Sequence, residues 1–110
     1  MSGVAIDGVD FSKMNGLVTV VVQDSETREV LMVAFANREA LETTLKERRA
    51  YFWSRSRNKL WMKGEESGNV MEVIEARVDC DGDAVLYLVK PRGPACHTGN
   101  RTCFFRALTR

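Results

Sequence analysis

An α+β fold, predominantly antiparallel β, with one main helix and a partly closed, barrel-like sheet is predicted by three features of this sequence. Seven short runs are rich in β-branched and apolar residues, a single segment carries helix-capping and helix-forming residues, and glycines punctuate the gaps. Neither an internal repeat nor a low-complexity segment interrupts the pattern.

Residues 1–16 hold few periodic apolar positions and three glycines, which predicts a flexible N-terminal arm with the folded domain over 17–110. LVTVVVQ (17–23) and EVLMVAF (29–35) are joined by the polar link DSETR and read as a β-hairpin. Asn37 is placed to cap a helix through REALETTLKERR. Glu39 sits near its positive end, and Lys46, Arg48 and Arg49 sit near its negative end. Leu41 and Leu45, four residues apart, share one face of that helix with Ala34 or Phe35 just outside it. Strand character then returns in AYFWS (50–54), KLWM (59–62), VMEVIEARV (70–78), AVLYLVK (84–90) and TCFFRAL (102–108).

A chain of 110 residues has room for one compact domain. Domains of this size bury only about two-thirds of their unfolded surface, so a metal or a second subunit is an expected source of stability. Sixteen basic against fifteen acidic residues leave a formal charge of +1, which offers no broad attraction for nucleic acid or an anionic membrane. A small-molecule partner is expected. The N-terminus lacks a signal-peptide pattern, and no run approaches the roughly 20 apolar residues of a bilayer span, so the cytoplasm is the expected compartment. An odd cysteine count argues against a closed disulfide framework, leaving metal ligand, nucleophile or buried apolar residue as roles for Cys80, Cys96 and Cys103.

The densest chemistry lies in Asp79-Cys80-Asp81-Gly82-Asp83. As an extended segment it places Asp79, Asp81 and Asp83 on one face and Cys80 on the other. Three crowded carboxylates repel unless a cation neutralises them, and their oxygens suit Mg²⁺; a solvated acidic turn is the plainer alternative. The cysteines follow C-x15-C-x6-C. Three thiolates can hold Zn²⁺ with a fourth position open to water, although isolated cysteines also serve as core filling. Pro91, Gly93, Pro94 and Gly99 constrain the loop around Cys96, which suits a ligand better than core filling. His97, the only histidine, follows Cys96 directly and is either a general base beside that water or an exposed loop residue.

The central segment mixes cations, hydroxyls and glycines with aromatics. Ser54, Arg55, Ser56, Arg57, Lys63, Gly64, Glu65 and Ser67 could line a phosphate pocket, and Trp53 and Trp61 could stack on a base. A solvated hairpin end with packed tryptophans accounts for the same residues.

FANREAL (35–41), YFWSRSRNKLWMKGEESGN (51–69), DCDGDAVLYLV (79–89) and GPACHTGNRTCFF (93–105) together resemble the phosphoribosyl-AMP cyclohydrolase family of histidine biosynthesis, in its single-domain form. The resemblance runs from the first strand to the last, and DCDxD followed by GPACHTG is its most specific part. It implies hydrolysis of the N1–C6 bond of the adenine ring of phosphoribosyl-AMP, giving a formimino carboxamide ribonucleotide. It also implies Mg²⁺ at Asp79, Asp81 and Asp83, Zn²⁺ at Cys80, Cys96 and Cys103, and His97 assisting a zinc-activated water. The implied assembly is an intertwined homodimer that shares its zinc ligands, with Cys80 supplied by the partner. Two other readings stay open: a different zinc nucleotide hydrolase such as a deaminase, and a zinc-stabilised nucleic-acid-binding module. The first lacks the expected HxE motif, and the second is disfavoured by near-neutral charge.

Overall fold

The computed structural model describes residue 3 and residues 5–110. Six strands and one helix follow in the order β1 (Val18–Asp24), β2 (Val30–Ala36), α1 (Arg38–Glu47), β3 (Tyr51–Ser54), β4 (Lys59–Met62), β5 (Met71–Val78) and β6 (Ala84–Pro91). Of the arm expected over 1–16, residues 1, 2 and 4 lie outside the described residues. Within the remainder, Ile6–Gly8 forms a 3-10 turn, and Ile6, Val9 and Phe11 pack against the core. Among the described residues no helix is long and apolar enough to cross a membrane.

The strand runs fold because their periodicity gives each a buried face. In β1 the alternation is complete: Val18, Val20, Val22 and Asp24 point inward, with residues of intermediate exposure between them. β1 pairs with β2 antiparallel and with β6 parallel, and β5 joins β6 antiparallel, so the main sheet has the order β2-β1-β6-β5. β3 and β4 form a separate two-stranded sheet.

This architecture corrects the barrel-like expectation; three of the four strand pairings are antiparallel as expected, and β1–β6 is parallel. The sheet is mixed and open, because the parallel β1–β6 pairing sends β2 and β5 to opposite edges. The seventh strand expected at TCFFRAL is also absent. Those residues make isolated contacts, Thr102 Oγ1 to the Val30 carbonyl at 2.7 Å and the Cys103 amide to the Leu31 carbonyl at 2.8 Å, rather than a ladder. Phe104, Phe105 and Leu108 remain exposed.

The helix begins where the sequence places it, with the Asn37 side chain accepting the Ala40 amide at 2.9 Å. It ends at Glu47, earlier than the expected run through Arg49. Arg48 turns left-handed at φ 60° and accepts the Val73 amide through its carbonyl, so a tertiary contact sets the stop. The inward stripe is Ala40, Leu41 and Thr44, whereas Leu45 lies off the edge of that stripe and is 46% exposed.

At the core centre Phe52 and Tyr87 are fully buried, their ring centroids 5.7 Å apart. The Tyr87 hydroxyl donates to the Tyr51 carbonyl at 3.1 Å and lies 3.1 Å from Thr44 Oγ1, tying β6 to β3 and α1. Burial pushes the Tyr87 phenol up to about 12, against which the Thr44 bond acts only weakly. A phenol whose folded pKa lies above its unfolded value stabilises the fold fully below pH 10, and that contribution is lost as pH rises to about 12. Tyr87→Phe should cost about 1 kcal/mol at pH 7 through its lost hydrogen bonds. Its stability should then decline less steeply than the parent's above pH 10. Chemical denaturation across that range checks both signs, and equal alkaline slopes would assign the titration to another group.

Candidate active site and metal centre

The acidic segment links β5 to β6 and folds back on itself, which corrects the extended geometry expected from its alternating residues. Asp79 builds the turn: one carboxylate oxygen accepts the Asp83 amide at 3.0 Å and the Ala84 amide at 3.1 Å. Gly82 completes it at φ +79° and is buried; a Cβ there would meet the Gly8 carbonyl oxygen at 3.0 Å. The turn still gathers the carboxylates, with one oxygen from each of Asp79, Asp81 and Asp83 within 4.8 Å of the others. Lys13 Nζ lies 3.2 Å from both Asp81 Oδ2 and Asp83 Oδ2. Hydrogen bonding with the Asp83 side chain, and next with Lys13, holds Asp81 below the ordinary carboxylate range. An all-oxygen donor set with an ammonium already seated at it fits a hard cation such as Mg²⁺.

Cys96 and Cys103 lie on the loop that leaves β6. The Cys96 amide donates to the Asn100 carbonyl at 3.2 Å and the Ala95 amide to the Arg101 carbonyl at 3.1 Å, closing a small hairpin whose corner is Gly99 at φ +92°. Thr98 Oγ1 lies 3.0 Å from Cys96 Sγ, and this hydroxyl, with the Thr98 amide, lowers the Cys96 pKa. Burial, and after it the negative charge at Cys96, raises Cys103. The two cysteines thus act on each other, Cys96 shifted down and Cys103 shifted up. His97 is exposed on the same loop.

Cys80 is not brought to them. It is exposed in the acidic turn, and among the described residues the one cluster of three metal-binding side chains is that of the aspartates. The eight residues of β6 separate the two groups, roughly 25 Å of extended chain. Two thiols from one chain fit a tetrahedral zinc site only in part, and Cys80 of the same chain does not complete it.

All ten residues named for substrate contact line two clefts on the β3–β4 hairpin. One, of about 470 Å³, is lined by Ser54, Arg57, Trp61, Lys63, Gly64, Glu65 and Ser67. The other, of about 610 Å³, is lined by Trp53, Ser54, Arg55, Ser56 and Trp61 together with Phe35. The Arg55 guanidinium stacks 4.1 Å over the Phe35 ring, leaving its edge free to donate. Lys63 faces the thiols as well: its positive charge adds a little to the lowering at Cys96 by Thr98 and slightly offsets the burial that raises Cys103.

Sequence reasoning missed three residues that hold these groups. Arg101 donates to Asp24 Oδ2 and to Glu29 Oε1, each at 2.5 Å, and so ties the thiol loop to the β1–β2 turn. Asp24 had registered only as part of a polar link, and Lys13 only as part of an arm. Their signal lies in partners 77 and 68 residues away, which no local pattern carries.

A carboxylate cluster able to hold a cation, a loop with two thiols and an adjacent histidine, and a cationic, aromatic-lined cleft are the features of a small α+β enzyme. The model of the family described as phosphoribosyl-AMP cyclohydrolase matches residues 32–105. Phosphoribosyl-AMP cyclohydrolases of Nitrosopumilus maritimus and Cenarchaeum symbiosum are 62% and 59% identical over 103 residues, 94% of this chain and 95% of each relative. A histidine biosynthesis bifunctional protein of Thermus thermophilus is 68% identical over 93 residues, 84% of this chain and 44% of that larger protein. The chain belongs to the phosphoribosyl-AMP cyclohydrolase family.

Burial of Asp24 alone would raise its pKa, but the Thr27 and Glu26 amides and Arg101 outweigh it and leave it lowered. A carboxylate depressed on folding stabilises above its ordinary value of 3.8, and that contribution is lost as pH falls through the lower folded value. Asp24→Asn should therefore lower the thermal midpoint at pH 7, with the gap from the parent narrowing below about pH 4. Melting curves from pH 7 to 3 check this, and a constant gap would show that the charge on Asp24 contributes nothing.

Proposed function

We propose that this chain hydrolyses the N1–C6 bond of the adenine ring of phosphoribosyl-AMP, the ring-opening step of histidine biosynthesis. The observation that carries the reading is membership of this family, supported by the loop that carries Cys96, His97 and Cys103 and by a cleft lined by arginine, lysine, serine and tryptophan side chains. The tryptophans offer stacking surfaces for the base, and Arg55, Arg57 and Lys63 offer hydrogen-bonded charge for the phosphate. His97 takes a proton from the water that adds to C6 and returns one to N1 as that bond opens. The exocyclic nitrogen stays on C6 as the carboxamide, so one water is gained and every nitrogen is kept.

The same reading gives Mg²⁺ to Asp79, Asp81 and Asp83, where it offsets their mutual repulsion. Zinc is held by Cys96 and Cys103 with the partner's Cys80 in a homodimer, and when bound it supplies a water of lowered pKa. The span of β6 supports a ligand from a second chain, because Cys80 and Cys96 stand at its opposite ends. Three free cysteines suit a reducing compartment, and the cytoplasm is the location this reading assigns.

Mass spectrometry of the product tests the reaction. Incubation with phosphoribosyl-AMP should add the mass of one water without release of ammonia, whereas ammonia release would turn the reading toward a deaminase. His97→Ala should lower turnover roughly 10²-fold or more with zinc content unchanged. Loss of zinc in that variant would move His97 from proton transfer to ligation.

Mixing defects tests the shared zinc site. Cys80→Ala and Cys96→Ala homodimers should both be inactive, while a refolded equal mixture should recover about one quarter of wild-type activity, through the one intact site of each heterodimer. Folded heterodimers without activity would end the shared-site model.

A further inference from the structure

We propose that Lys13 is a built-in counter-ion of the acidic turn, its ammonium holding the place a divalent cation takes and leaving when that cation binds. The inference rests on the Mg²⁺ reading of Asp79, Asp81 and Asp83. Lys13 Nζ lies 3.2 Å from one oxygen of Asp81 and 3.2 Å from one oxygen of Asp83, and those two carboxylates converge with Asp79 within 4.8 Å. An ammonium has three donors and no lone pair, so it cannot join a cation's coordination shell and occupies the carboxylates only in exchange with it.

The segment carrying Lys13 is fastened to the turn it neutralises. The Asp10 amide donates to the Gly82 carbonyl at 2.7 Å, and Gly82 has no side chain because the Gly8 carbonyl crosses it. Asp10 in turn accepts from the amide and the hydroxyl of Ser12, at 2.8 and 2.5 Å. The backbone thus stays in place while the Lys13 side chain, 45% exposed, is free to swing into solvent. Asp81 and Asp83 are themselves open enough, at 57% and 33%, for a hydrated cation to reach them. Ion pairs this exposed are weak, so the exchange is easy and shifts cation affinity modestly rather than blocking it.

Lys13 then acts in opposite directions on the two states. It supports the metal-free turn by neutralising repelling carboxylates, and it weakens cation binding by competing for them. A side chain that only braced the turn would support both states. Mn²⁺ is the probe, titrated by electron paramagnetic resonance into full-length, zinc-loaded, Mg²⁺-free protein, with thermal melting of the same samples before Mn²⁺ is added.

Lys13→Met should bind Mn²⁺ about fivefold more tightly while melting at a lower temperature without it, and Lys13→Arg should match wild type in both measurements. Lys13→Gln serves as the neutral variant if Lys13→Met does not fold. Unchanged or weaker Mn²⁺ binding in the neutral variant, with Asp81→Asn abolishing binding, would overturn the counter-ion role and leave the Mg²⁺ site standing. Absence of Mn²⁺ binding in both wild type and the neutral variant would overturn the site and the counter-ion together.

Discussion

Because β1 and β6 run parallel and in close register, Thr19 opposite Ala84 and Asp24 opposite Val89, whatever precedes β1 lies beside whatever precedes β6, and whatever follows β1 lies beside whatever follows β6. The first rule sets residues 8–13 against the acidic turn, through Asp10 to Gly82 and Lys13 to Asp81 and Asp83. The second sets the β1–β2 turn against the thiol loop, through Asp24 and Glu29 to Arg101. One backbone pairing therefore builds two chemical ends, one of oxygens and one of sulfurs. Between them stands a wall of buried side chains, Val20, Val22, Tyr87 and Val89. An antiparallel β1–β6 pair would have crossed these neighbours, bringing Arg101 toward the N-terminal segment and stranding Lys13.

Local elements were legible because their causes are local. Alternating valines made β1, and the Asn37 cap fixed the start of α1. Pairing was not legible: a half-buried strand alternates identically whether its neighbour runs parallel or antiparallel, so β1 gave no sign of β6, and an apolar run such as 102–108 reads as a closing strand whether or not an edge awaits it. The acidic turn was misjudged in shape but not in chemistry. Extension and reversal both gather Asp79, Asp81 and Asp83, and the features that select reversal, the Asp79 side chain capping its own turn and Gly8 crossing Gly82, are hydrogen bonding and contact rather than period. Metal-ligand candidates were visible as residue types in recognisable motifs. Their supports, Lys13, Asp24 and Arg101, became visible only once distant segments met.

The two ends differ from the core in how they are held. Core residues such as Phe52 and Val20 are fully buried, and each such side chain contributes about 1.5–3 kcal/mol by leaving water. At the ends, short turns and partly exposed ion pairs carry the geometry: Lys13 is 45% and Arg101 51% exposed. Exposed pairs of this kind add little stability alone, so the carboxylate and thiol groups rest mainly on the short turns that carry them. The polar side chains nevertheless leave no loose ends inside, since among the described residues every buried side-chain nitrogen or oxygen has a hydrogen-bond partner.

The separation of the ends bears on how the proposed active site is assembled. Within one chain the length of β6 stands between the carboxylates and the thiol pair. Cys80 removes that separation on the proposed reading, because it lies inside the acidic turn with Asp79 and Asp81 as its immediate neighbours. A Cys80 that reaches across to Cys96 and Cys103 of a second chain must carry those carboxylates with it. The oxygen end of one subunit then meets the sulfur end of the other, beside His97 and the cleft that Lys63 links to the thiols. On the proposed reading, the sheet that holds the two chemistries apart in one chain is what would make them meet in a pair, and symmetry would complete a site that one short chain leaves divided.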